Sequence, residues 1–220
     1  MTFTILARDP DTGAIGGAAA TGSLCVGGWV LRGDLRAGMS GSQGASPSTL
    51  WGEEVLDAMR TGQSAAIAVA AVTAPDRGRS FRQLVALGLS GEGAEFTGKD
   101  NTPVMAGRGF DNGVAAGNLL RSEAVIDAVI DGYLGSGGSL PERLLASLRA
   151  GDAAGSDTRG LLSAALLVLS PDQAPLTLRI DYSRTPLDDL DALHARATSG
   201  DYARWCTQVP TLSDPQRALD

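Results

Sequence analysis

His194 is the only histidine in the 220-residue chain. Zinc sites built on several imidazoles are therefore excluded, and any Ser-His-Asp or Cys-His machinery would have to use this one residue. It follows Asp188-Asp189-Leu190-Asp191-Ala192-Leu193, an acidic, amphipathic run that reads as a solvated helix face carrying a surface histidine. Gly93 to Lys99 matches the spacing of a phosphate-binding loop up to its lysine, but Asp100 stands where a Ser or Thr would hold magnesium. A glycine-rich turn beside a hairpin arm is expected there. Gly107, Gly109 and Gly113 echo a dinucleotide loop without its strand-turn-helix setting, and no Gly-x-Ser-x-Gly nucleophile elbow occurs. A hydrolase so poor in histidine needs another general base. A free α-amino group, with an ordinary pKa of about 7.7–8, is one. Thr2 fits: threonine is small enough for Met1 to be removed, which leaves a hydroxyl and an amine on one residue. Thr4 shares the strand face of Thr2 and is its rival. Met-Thr also opens many proteins with no such chemistry, so the pair of residues does not by itself define a site.

The elements that would hold such a residue follow from hydrophobic period and turn chemistry. Thr2 to Arg8 is β-rich, Asp9-Pro10-Asp11-Thr12-Gly13 is a turn, and Ala14 to Thr21 resumes in small residues, which predicts an opening hairpin. After a glycine-punctuated stretch, Leu50, Val55, Leu56 and Met59 recur at helical spacing as far as Gly62, and a second, alanine-rich helix covers Gln63 to Val72. Phe81 to Leu89 and Ala94 to Thr97 form the next hairpin, with a further strand at Gly113 to Ala116. Helices are predicted at Glu123 to Leu134 and Leu140 to Arg149, with a break from Gly151 to Gly160. Leu162 to Leu169 and Pro175 to Tyr182 read as strands, a last helix begins near Thr185-Pro186, and the tail after Trp205 is irregular. Hairpins stand where parallel strands would need helical crossovers, so the sheets are antiparallel. The strands are apolar enough to be covered on both faces. An α+β, four-layer α-β-β-α sandwich of two mainly antiparallel sheets satisfies these demands. Residues 1–183 form the domain, and residues 184–220 add a C-terminal helix and tail packed on it.

Composition bounds the rest. With 43% hydrophobic and 20% charged residues, 220 residues can bury one substantial core. The 18 basic residues against 25 acidic ones give a net charge of -7, without any basic run, so a nucleic-acid partner is not expected. No apolar stretch approaches the ~20 residues of a membrane helix. The opening residues carry no basic lead-in or cleavage signal, and a cytoplasmic location with no membrane association is expected. Cys25 and Cys206 form no Cys-x-x-Cys pair and read as reduced packing residues. Neither a metal nor a cofactor is implied.

Several segments resemble one family: Thr2-Phe3-Thr4-Ile5-Leu6-Ala7-Arg8-Asp9-Pro10, Ser42-Gln43, Arg82-Gln83, Thr97-Gly98, Gly117-Asn118, and Gly151 to Gly160 followed by Ser163-Ala164-Ala165-Leu166. Together, from Thr2 to about Tyr182, they are similar to a bacterial domain of unknown function, number 1028, placed in the N-terminal-nucleophile (Ntn) hydrolase superfamily. The resemblance implies the same four-layer sandwich. It also implies hydrolysis of an amide or related C–N bond of a small-molecule substrate through an acyl-enzyme, without a cofactor. Carried over by position, it makes Thr2 the nucleophile and Asp157 and Arg159 candidates for positioning it or gripping a substrate carboxylate. A salt bridge fixing a glycine-rich turn fits Asp157 and Arg159 equally well. Gln43 and Asn118 would donate hydrogen bonds to a bound carbonyl or satisfy buried backbone, and Ser163 would do either. The chain departs from the family pattern at Leu162, where a glutamine commonly precedes Ser163, and at Gly44-Ala45-Ser46-Pro47, where a tyrosine and an Asn-Pro are common. A homo-oligomer is the superfamily expectation. A non-catalytic ligand-binding or assembly protein on the same scaffold is the alternative.

Overall fold

The computed structural model describes residues 2–155 and 160–219. The opening hairpin forms as predicted: β1 (Thr2–Arg8) turns through residues 9–14 into β2 (Ile15–Thr21). The glycine-rich segment that follows holds a four-residue helix, α1 (Val26–Trp29), and two strands, β3 (Leu31–Asp34) and β4 (Gly38–Gly44). Helices α2 (Thr49–Arg60) and α3 (Ala65–Thr73) lead to four strands, β5 (Arg82–Gly88), β6 (Gly93–Thr97), β7 (Met105–Phe110) and β8 (Gly113–Asn118). Helices α4 (Ala124–Leu134) and α5 (Leu140–Ala153), strands β9 (Ser163–Leu169) and β10 (Leu176–Ile180), and helices α6 (Pro186–Ala197) and α7 (Gly200–Cys206) complete the order.

The fold is mixed α+β, with two antiparallel sheets and seven α-helices among the described residues. The larger sheet runs β10-β9-β2-β1-β8-β7 and the smaller β3-β4-β5-β6. Period-2 alternation divides the inner strands β1, β2, β5, β8 and β9 each between two apolar clusters. Phe3 and Ile5 of β1 join Ala115, Leu166 and the inward faces of α4, α5 and α6 in one cluster. Leu6 meets Val85, Leu87, Met39 and Val114 between the sheets. On the far side of the smaller sheet, Leu84 and Ala86 pack with Trp51, Val55 and Val69 of α2 and α3.

Three sequence expectations need correction. Leu50, counted on the inward face of α2, is 62% exposed, and Trp51 is the buried residue that packs edge-on against Phe96. Helix α5 does not break at Gly151 but runs to Ala153. Gly151 sits inside it because a Cβ there would lie 2.6 Å from Val129 Cγ2 and 2.9 Å from the Phe3 ring, so the glycine marks where α5 crosses α4 and β1 rather than a helix end. The C-terminal segment carries two helices, α6 and α7, instead of one. Leu187 and Leu190 fix α6 onto the same core as β9 and β10.

Candidate functional site

Hydrogen-bond sense along β1 settles which neighbours Thr2 has. Arg8 N–H donates to Asn112 O at 2.8 Å and Asp9 N–H to Ala14 O at 2.9 Å, so even-numbered residues direct their backbone groups to β8 and odd-numbered ones to β2. Thr2 is thus a hydrogen-bonded pair with Asn118 and a close, non-hydrogen-bonded pair with Thr21. The close pairing brings the Thr2 and Thr21 hydroxyl oxygens to 3.1 Å. Ser163 is opposite Thr21 in turn, so Ser163, Thr21, Thr2 and Asn118 form one polar row across four strands. Its face is the one toward the smaller sheet, because Thr4, two residues along β1, donates its hydroxyl proton to Gln43 Oε1 of β4 at 2.6 Å.

A cleft of about 490 Å3 opens at this end of the sheets. Thr2, Thr21 and Gln43 line it, along with Leu24, Val26 and Trp29 from the segment after β2 and residues 44–47 after β4. Both walls are tied down. Ser163 Oγ donates to Ser23 O at 2.8 Å and accepts from Val26 N–H at 3.1 Å, and the left-handed backbone of Cys25 (φ 61°) makes the turn between them. On the other wall Asn101, 0% exposed, accepts from Ala45 N–H at 2.9 Å while its amide protons go to Arg82 O and Gly98 O. Arg82 donates to Ser46 O and pairs with Asp76 at 2.8 Å, and that hydrogen bond holds the Asp76 carboxyl below its ordinary value. Another hollow, of about 480 Å3, lies between residues 91–93 and 109–113 and contains none of the candidate residues.

Behind Thr2 the sheets are joined by amides. Gln83 Nε2 donates to Ala106 O (3.2 Å), Gly117 O (3.0 Å) and Thr97 Oγ1 (2.9 Å), and backbone carbonyls accept only, so the orientation of this amide is fixed. Its Oε1 then has to accept, and does so from Gln43 Nε2 at 2.7 Å and Asn118 Nδ2 at 3.2 Å. Gln43 gives its other proton to Ala116 O at 3.2 Å, and Thr97 passes on to Glu95 Oε2 at 2.7 Å. Both Gln43 amide protons are therefore directed inward, away from the cleft that the residue lines.

Of the sequence candidates, the structure brings Thr2, Gln43, Asn118 and Ser163 together: Thr2 on the cleft, Gln43 and Asn118 in the amide network, and Ser163 anchoring the wall. Asp157 and Arg159 lie outside the described residues. Gln83, Thr97 and Asn101 were not singled out as site residues. Gln83 carried a signal, since it occupies the same strand face as Val85 and Leu87, where the alternation calls for an apolar side chain. Among the described residues no three His, Cys, Asp or Glu side chains are grouped so as to hold a metal ion.

The crystal structure of protein SPO2555 from Silicibacter pomeroyi, a DUF1028 protein, superposes with a TM-score of 0.96 at 55% identity, over 100% of this chain and 96% of that one. No curated protein matches the chain. A model of the family of unknown function DUF1028 matches residues 2–190, which span the polar row, the amide network and both walls of the cleft. The chain belongs to the DUF1028 family.

Proposed function

We propose that this chain is an N-terminal-nucleophile amidohydrolase acting on an amide or related C–N bond of a small molecule, with Thr2 as nucleophile once Met1 is removed. The two sheets with helices on their outer faces fit the four-layer α-β-β-α sandwich of that superfamily, and the cleft has the size of a small-molecule site. The observation that carries the reading is the placement of Thr2: it lines the cleft at the end of a central strand, its hydroxyl beside that of Thr21, while the hydroxyl of Thr4 is enclosed and bonded to Gln43. In this mechanism Thr2 Oγ1 attacks the carbonyl carbon and its proton passes to the Thr2 amine. The tetrahedral intermediate expels the leaving amine, which takes that proton, and leaves an ester on Thr2. Water then cleaves the ester, the Thr2 amine again serving as base, to release the acid and restore the hydroxyl.

Intact-protein mass spectrometry of untagged protein tests this directly. Loss of Met1 and a single adduct at Thr2 from a carbonyl electrophile, abolished in Thr2→Ala, are expected. Retained Met1 without an adduct overturns the reading and assigns the cleft to ligand binding without catalysis.

A further inference from the structure

Asn118 is 0% exposed, and its Oδ1 accepts no hydrogen bond. A buried acceptor in that state is costly and calls for a donor. The orphan oxygen does not arise from an arbitrary choice of amide orientation. The backbone carbonyls of Ala106 and Gly117 fix Gln83 with its Oε1 toward Asn118, so Asn118 has to present Nδ2 to it and Oδ1 elsewhere. The neighbour across the sheet is Thr2, paired with Asn118 in the hydrogen-bonded register, so Thr2 N points toward β8 and its N–H is directed at the Asn118 backbone carbonyl. While Met1 is attached, that single N–H meets the backbone carbonyl and nothing on the nitrogen is left for the side chain. Cleavage of the Met1–Thr2 bond gives the same nitrogen additional protons, on the residue that is the register partner of Asn118.

We infer that Asn118 is a positioning residue for the Thr2 amine: its Oδ1 accepts one amine proton and its backbone carbonyl another, which turns the nitrogen lone pair of the neutral form toward the Thr2 hydroxyl. This rests on the proposed N-terminal-nucleophile reading. Among the described residues, the side chains of the polar row and amide network around Thr2 are neutral: Thr4 on β1, Thr21 on β2, Ser163 on β9, Gln43 on β4 and Gln83 on β5. Among the described residues, the charged side chain joined to them is Glu95, through Thr97. An acceptor on the amine favours its ammonium form. Asn118→Asp therefore raises the amine pKa by about one unit or more, and Asn118→Leu lowers it.

The test combines the crystal structure of the processed wild-type protein with the amine pKa, read from the pH dependence of acylation of Thr2 nitrogen in the wild type and both variants. Met1 absent, Oδ1 within ~3.2 Å of the amine, and opposite pKa shifts in the two variants are the expected results. Met1 absent with Oδ1 bonded to another group, or with both folded variants at the wild-type pKa, overturns this inference and leaves the nucleophile reading standing. If neither variant folds, the distance in the wild-type crystal decides alone. Retained Met1 removes both.

Discussion

Thr4 is 0% exposed and its hydroxyl proton is committed to Gln43 Oε1, whereas Thr2 lines the cleft. Thr4→Val keeps the shape and loses one buried hydrogen bond while leaving Gln43 Oε1 unpaired, so it should cost about 1–3 kcal/mol in urea denaturation. Adduct formation at Thr2 should survive in that variant. Gln83→Leu is the harsher change, because it takes the acceptor from the amides of Gln43 and Asn118 and the added hydrogen bonds from the Ala106 and Gly117 carbonyls at once. A loss of about 3 kcal/mol or more, read in the same denaturation experiment, is expected. Thr2 could be marked as a candidate in the sequence because a hydroxyl beside a potential free amine follows from its own type and position. The part played by Gln83 was not, because it depends on strands β4, β6, β7 and β8 meeting at one point, and no local pattern encodes that meeting. Gln43 and Asn118 fall between these cases: their positions were marked, but only the network shows where their amide protons go.

At the level of elements, helix and strand periods gave the long, apolar segments, and glycine decided where they misled. Strands β3, β4 and β7 carry too many glycines for alternation to show, as in Gly38-Met39-Ser40-Gly41-Ser42-Gln43-Gly44. Gly151 looked like a helix stop because its reason, the approach of Phe3 and Val129, comes from elements far away in sequence. Gly132 in α4 has the same origin: a Cβ there would stand 2.5 Å from the Cβ of Ala150, a methyl fixed to the backbone of α5. Gly132→Ala should therefore destabilise by about 1–3 kcal/mol, the overpacking outweighing the gain in helix propensity of about 1 kcal/mol. Gly109→Ala in β7, where nothing lies within 4 Å of the added Cβ, should be neutral or slightly stabilising. Thermal melts of the two variants side by side check both signs.

Across the whole molecule, carboxylates held below their ordinary values shape the response to acid. Asp76 is held below its ordinary value first by the hydrogen bond from Arg82, and Glu142 by those from Ser139 at the start of α5. A folded-state pKa below the unfolded one supplies stability that is present above about pH 4 and is lost as pH falls through the folded value. Acid unfolding should therefore steepen below about pH 4, and Asp76→Asn should flatten that slope, measured as denaturation midpoints between about pH 2 and 6. The larger sheet also has a history written into its order. Strand β1 stands between β2 and β8, and β8 lies about 100 residues further along the chain. At translation rates of about 5–20 residues per second, the β8-facing edge of the first hairpin stays bare for roughly 5–20 seconds on the ribosome. The row of unpaired amides that later meets Asn118 is, during that interval, an open template for any passing strand, so the nascent chain carries an edge that the finished sheet closes.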